Sequence, residues 1–131
     1  MIEILQPAGW VRPRGYSNGM AASGRTVCVS GMIGWDAQGQ FHTDDFAGQV
    51  RQALQNIVDV LAEANARPEH IVRMTWYITD KKEYIAAYKE IGGAYRDIIG
   101  KHYPTMTAVQ ISALIEDRAK VEIEVTAIVP E

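Results

Sequence analysis

YPTMTAVQISALIEDRAKVEIEVTAI, residues 103–128, is the stretch that decides how the chain is read. Thr107, Val109, Ile111, Ala113 and Ile115 alternate with Met106, Ala108, Gln110, Ser112 and Leu114, so a strand is expected over 105–115. After a short connection, Val121, Ile123, Val125 and Ala127 form the apolar set of a second strand, 120–128. Lys120, Glu122, Glu124 and Thr126 stand on its other face. Carboxylates two residues apart in a strand lie side by side, about 6.5–7 Å apart. Spacing alone makes Glu122 and Glu124 a solvated face. Whether one of them points into a site is the question the rest of the chain has to answer.

Upstream, apolar residues switch between a period of two and a period of 3.6. Residues 2–5, IEIL, form a short strand, followed by the Pro- and Gly-bearing loop QPAGWVRPRG. YSNGMAASG gives a second short strand, and TVCVSGMIGW, 26–35, a third that ends in the turn-like DAQGQ. Asp44-Asp45 open a helix with an apolar stripe at Phe46, Val50, Ala53, Leu54, Ile57, Val58 and Leu61. Gln49, Arg51, Gln52 and Asn56 fill its polar side, and Asn65 and Pro68 stop it near 66. IVRMTWYIT, 71–79, is a strand with Val72, Met74, Trp76 and Ile78 on one face. Asp80 and Glu83 resemble a capping pair for a second helix with stripe Ile85, Tyr88, Ile91, Tyr95 and Ile98, running to about Gly100. Gly92-Gly93 in its middle costs on the order of 1 kcal/mol per glycine, and close packing against the sheet is the expected reason.

The order β-β-β-α-β-α-β-β predicts an α+β fold, a mixed sheet with two helices packed on one face, in a single domain over 1–131. Helices on one face leave the other face to be covered by a barrel or an oligomer interface. A net charge of −3 with scattered basic residues gives no footprint for nucleic acid or an anionic membrane. No apolar run approaches the ~20 residues of a membrane span. The start, MIEILQPAGW, lacks the pattern of a signal peptide, and the cytoplasm is expected. A lone Cys28 between Val27 and Val29 reads as a buried, inert thiol. His42, His70 and His102 have no convergent spacing, so no metal is expected. Neither a nucleotide-binding glycine loop nor a nucleophile elbow is present, and no cofactor is expected.

Five stretches, in order, resemble the RidA/YjgF family of reactive-intermediate (enamine/imine) deaminases: PRGYSNGM, TVCVSGMIGWDAQGQ, DFAGQVRQALQNIVDVLAEANA, HIVRMTWYITDKKEYIAAY and YPTMTAVQIS…KVEIEVTAIVP. The resemblance covers nearly the whole chain. It implies a chorismate-mutase-like fold and a homotrimer whose sheets join as a barrel, with helices outside and a small-molecule site in each inter-subunit cleft. The implied activity is hydrolysis of a reactive enamine or imine to a carbonyl compound and ammonia. Glu122 matches the family glutamate near the attacking water, Tyr16 the cleft tyrosine, and Gly31 the glycine whose backbone lines the pocket. Thr107 joins the substrate-positioning backbone.

One position departs from the family pattern. Active imino-acid deaminases of the family carry an arginine in a Pro-x-Arg motif, and here the stretch is Pro104-Thr105-Met106. Methionine cannot grip a carboxylate as a guanidinium does, so simple 2-imino acids are expected to be poor substrates. The cysteine that often follows two positions later is Ala108, and Lys89 stands near a position that often holds Asn. The chain thus resembles the arginine-lacking members, some of which act on 2-aminomuconate-type enamines. Trp10, Trp35, Trp76 and Met106 suit a larger, flatter substrate, and Arg14 is the candidate to replace the missing cation. The alternative is a non-catalytic trimer that binds a small metabolite in the same cleft. A ribonuclease activity, sometimes attached to such proteins, is disfavoured by the acidic balance.

Overall fold

The structure is a computed structural model and describes residues 2–131. Its strands are β1 (Glu3–Leu5), β2 (Gly19–Ala21), β3 (Arg25–Ile33), β4 (Ile71–Ile78), β5 (Thr105–Gln110) and β6 (Val121–Val129). Its α-helices are α1 (Phe46–Glu63), α2 (Lys81–Ala86) and α3 (Tyr88–Ile98), with one 3-10 turn at Pro68–His70. The main sheet has the order β3-β6-β4-β5, antiparallel except for the parallel β4–β5 pair. β1 and β2 pair only with each other. This is the mixed α+β arrangement that the two periods predict. Among the described residues no helix is long and apolar enough to cross a membrane.

The helices cover one face. Val121, Ile123, Val125 and Ala127 of β6 meet Met74, Trp76 and Ile78 of β4 and the α1 stripe Phe46, Val50, Leu54, Ile57 and Leu61 in one core. α1 starts where its acceptor allows: Asp45 takes the free N–H of Gly48 on its carboxylate at 2.9 Å. Asp80 does the same for Lys82 at 2.8 Å. Glu83 completes no capping box and pairs instead with Lys120 at 3.1 Å.

Several expectations are corrected. The second helix is two, broken at Ala87 (φ −100°, ψ 11°). The bend lets Tyr84 set its ring edge-on to Phe46 and Trp76 while α3 packs on α1. Its buried residues are Ile91, Ala94 and Tyr95, whereas Ile85 and Tyr88 are exposed. β5 ends at Gln110, not 115, because its parallel partner β4 ends at Ile78 and turns away into α2. Ile111 N–H still reaches Ile78 O at 2.9 Å, and beyond it the chain has no strand to pair with. An irregularity between Ile71 and Arg73 in the β4–β6 pairing seats Ile71, rather than Val72, in the core. Gly92 and Gly93 do not pack closely: a Cβ at Gly93 would meet nothing within 4 Å.

Gln49 is the largest departure. It lies on the core side of α1 with 0% of its surface exposed. Its Nε2 donates to the carbonyls of Thr43 and Arg118 at 3.2 and 3.0 Å, and its Oε1 accepts from Lys120 N–H at 2.8 Å. Its stem fills the space that a side chain at Gly34 would need, since a Cβ there would come within 2.6 Å of Gln49 Cβ. Asn56, two turns further along the same side of α1, donates to the carbonyls of Ile33 and Trp35 at 3.1 and 2.8 Å. The helix therefore holds the end of β3 and the start of β6 by side-chain amides. Gln49→Ala strips three partly buried backbone groups of their partner and empties the space its buried stem fills, and is expected to lower unfolding free energy by on the order of 3 kcal/mol, read from urea denaturation.

Candidate active site

Two residues of β3 face one of β6 between the pairs Val29↔Val125 and Met32↔Ile123. The extra residue is a β-bulge at Ser30-Gly31, a device that re-aims side chains. It shifts the alternation, so that Met32 joins the core while Ile33 falls opposite Glu122 on the uncovered face. It also brings the β3 backbone against the Glu122 side chain. A Cβ at Gly31 would lie 1.9 Å from Glu122 Oε2 and 2.8 Å from its Cγ, so only glycine leaves the carboxylate its place.

Glu122 and Glu124 share the uncovered face, and the structure separates their roles. Tyr77 is opposite Glu122 in register, yet its hydroxyl reaches diagonally and donates to Glu124 at 2.7 Å. That bond is the leading reason the Tyr77 hydroxyl is held above its ordinary pKa, because ionising it would set two negative charges together. Glu124 is therefore not a free solvated carboxylate. Glu122, half-buried, has no side-chain hydrogen bond or ion pair among the described residues. Thr107, opposite Thr75 on β5, lies on this same face. Cys28 is exposed there rather than buried, since no helix packs on that side.

Tyr16, Arg14 and Met106 gather elsewhere. Met106 pairs with Met74, on the helix side of β5. Tyr16 is placed by its neighbour Ser17, which bridges to Thr105, donates its N–H to Pro104 O at 3.0 Å and its hydroxyl to Tyr103 O at 2.6 Å. Arg14, Tyr16 and Met106 then line a cleft of about 490 Å³ with Lys81, Tyr84 and Tyr88. The six expected residues thus fall into two groups: Glu122, Gly31 and Thr107 on the uncovered face, and Arg14, Tyr16 and Met106 beside the helices. β4 lies between β6 and β5, so about two strand spacings, roughly 9.6 Å, also divide Glu122 from Met106 within one chain.

Lys81, Tyr84 and Tyr88 were not singled out from the sequence. Tyr88 looked like one member of an apolar helical stripe, and only its exposure tells it apart. Tyr84 and Tyr88 stand one turn apart with ring centroids 5.1 Å from each other, edge to face, and burial raises the Tyr84 hydroxyl pKa. Of the tryptophans, Trp76 reaches the cleft region, Trp35 packs on Phe41 at 5.9 Å, and Trp10 is exposed. The histidines are dispersed: His42 meets Asp36 at 2.6 Å, His70 accepts from Arg67 N–H at 3.0 Å, and His102 meets Ile71 O at 2.6 Å. Among the described residues no three His, Cys, Asp or Glu groups could hold a metal ion together.

Residues 11–129 match the protein family described as Endoribonuclease L-PSP. The chain belongs to the RidA/YjgF family. Among its relatives, a RutC family protein of Aquifex aeolicus is 31% identical over 128 residues, covering 98% of this chain and 99% of that one. A human 2-iminobutanoate/2-iminopropanoate deaminase is 30% identical over 129 residues, covering 98% and 88%. The crystal structure of YyfB, a Rid family protein of unknown function from Yersinia pestis, superposes with a TM-score of 0.86 at 26% identity, covering 98% of both chains. E. coli TdcF with bound serine superposes at 0.69 with 29% identity, covering 97% and 98%. The fold of this family is thus the fold of this chain.

The Gly31–Glu122 contact can be tested directly. Gly31→Ala should leave the secondary structure unchanged while turning the Glu122 side chain away from β3, visible in a crystal structure of the variant. An unmoved carboxylate would mean that the β3 backbone yields instead.

Proposed function

We propose that this protein is an enamine/imine deaminase, with Glu122 as its acid/base. The observation that carries the reading is the Glu122 carboxylate: half-buried, pressed on the bare backbone of Gly31, and without a side-chain partner among the described residues while neighbouring Glu124 is engaged by Tyr77. Relatives named as 2-iminobutanoate/2-iminopropanoate deaminases support the reaction class.

The chemistry needs one positioned carboxylate. The reacting species is the protonated imine, which an enamine reaches by taking a solvent proton at carbon. As water adds to its C=N carbon, Glu122 takes a proton from the water and the C=N π pair moves to nitrogen, giving a neutral carbinolamine. The protonated Glu122 then delivers that proton to nitrogen. The C–N bond breaks as an oxygen lone pair forms C=O, and the hydroxyl proton returns to the carboxylate and passes to ammonia or solvent. An acid/base in this place contributes typically 10²–10⁴-fold.

Because Glu122 and the Met106 cleft lie on opposite sides of the sheet, a second copy of the chain is needed to bring one chain's carboxylate to another's cleft. A homotrimer with three such clefts meets that need and covers the sheet face that carries Cys28, Arg73, Thr75 and Thr126. With Met106 in place of the family arginine, the substrate is a larger enamine or imine than a simple 2-imino acid. Arg14 lines the same cleft as Met106 and carries no ion pair among the described residues, which suits it to take over the carboxylate. Tyr16 packs against the substrate and Thr107 positions it by backbone.

Imines and enamines generated in situ from a panel of amino acids, with ammonia as the readout, test the reaction. Glu122→Gln should lower the rate on any active substrate by about 10²–10⁴-fold while the trimer mass persists by light scattering. An unchanged rate would remove Glu122 from the mechanism. Activity on no member of the panel, with ligand-dependent thermal stabilisation, would instead favour a metabolite-binding trimer, the reading that Met106 alone would suggest.

A further inference from the structure

The uncovered face of the sheet is a grid whose rows run across the strands. Ile33, Glu122, Tyr77 and Val109 stand opposite one another in one row, on β3, β6, β4 and β5. Glu124, Thr75 and Thr107 make the next, beside the Ser30-Gly31 bulge. Cys28, Thr126, Arg73 and Thr105 make the third. Directly opposed residues have Cβ atoms about 4.5–5.5 Å apart, and diagonal neighbours stand roughly 7–8 Å apart, within reach of an aromatic side chain.

Tyr77 uses that diagonal. It stands across from Glu122, yet its hydroxyl donates to Glu124 at 2.7 Å, so its ring leans out of its own row toward Thr75 and Glu124. Thr75, in register with Glu124, is short enough to leave the ring room.

The lean sets the surroundings of Glu122. On the β3 side its carboxylate lies on the Gly31 backbone, where a Cβ would come within 1.9 Å of Oε2. On the β4 side, the place opposite is the one the Tyr77 ring has left. No cation fills it. Lys120, two residues before Glu122, pairs with Glu83 at 3.1 Å, and Arg73 stands two rows away across from Thr126. The room beside Glu122 therefore depends on where the Tyr77 ring is held, and among the described residues its side-chain hydrogen bond is to Glu124.

We propose that Tyr77 is a positioning residue and Glu124 its anchor: the hydroxyl bond holds the ring over Thr75 and keeps open, beside Glu122, the place the attacking water needs. Without that bond the ring takes the other χ1 rotamer common in strands and stands over Glu122. Glu124 is thus a hook for the ring and not a second acid/base. The inference rests on the reading of Glu122 as the acid/base, and deepens it. Substrate still binds through the Met106 cleft, so the cost of losing the bond falls on the chemical step.

Tyr77→Phe, which keeps the ring and removes the hydroxyl, should lower kcat about ten-fold on an active substrate, with KM changed by less than about two-fold. The same substitution should again cost about ten-fold in a Glu124→Gln background, where the amide oxygen still accepts from the phenol. In a Glu124→Ala background, where the anchor is gone, it should cost nothing. A tyrosine that merely stiffened the sheet would cost the same in all three backgrounds. Crystal structures of wild type and Tyr77→Phe give a reading independent of turnover: the ring leans over Thr75 in the first and stands over Glu122 in the second. An unmoved ring, an unchanged kcat, a raised KM in place of a lowered kcat, or an undiminished cost in the Glu124→Ala background would each overturn the inference. If wild type turns over no substrate, the deaminase reading falls, and the ring position alone decides whether Glu124 holds Tyr77 clear of Glu122. If wild type turns over and the ring of the variant stays in place, the inference falls alone.

Discussion

A primary amide sealed in the core holds the two halves of this structure together. Gln49 makes three hydrogen bonds, to the loop before α1, the loop before β6, and the backbone N–H of Lys120. Buried amides are tolerable only when satisfied, and this one is satisfied by segments about 70 residues away in sequence. β6 enters the sheet next to that anchor, between β3 and β4, and Glu122 is its second residue. Moving the anchor would move the carboxylate. Gly34 and Asn56 belong to the same constraint, since one makes room for the Gln49 stem and the other fixes the end of β3.

The two sides of the sheet have taken different tasks. The helix side buries the core and, at the β5 edge, opens the aromatic cleft lined by Arg14, Lys81 and Met106. The other side is polar and half-exposed, and there the Ser30-Gly31 bulge hands Glu122 a glycine backbone to lie on. Glu122 and the cleft that holds Met106 thus stand on separate surfaces of one chain. Such a division suits a protein that works only when copies of it meet.

Much of the fold was legible because it follows from local periodicity. The α1 stripe and the caps at Asp45 and Asp80 are set by residues three or four apart, and the alternation of β6 is a period-two signal. Gln49 was misplaced on the polar side of α1 because helical spacing reports polarity and not the distant carbonyls that make burial tolerable. Cys28 looked buried because two valines flank it, whereas its strand has a helix on one side only. The break at Ala87 has no glycine or proline to announce it. Of the site, the pairing of Gly31 with Glu122 and of Arg14 with Met106 needed three-dimensional proximity. The family resemblance named those residues, but no spacing could have joined them.

Ser17 carries a consequence for the order in which the molecule assembles. It ties the loop bearing Arg14 and Tyr16 to Tyr103 and Pro104, 86 residues further on in the case of its hydroxyl bond. That segment is made early on the ribosome, yet its anchor exists only when β5 has been synthesised and laid beside β4. Contacts of such long sequence separation close late, because the entropy of a large loop must be met first. The wall of the cleft between Arg14 and Met106 is accordingly among the last surfaces to form, after the sheet it stands against.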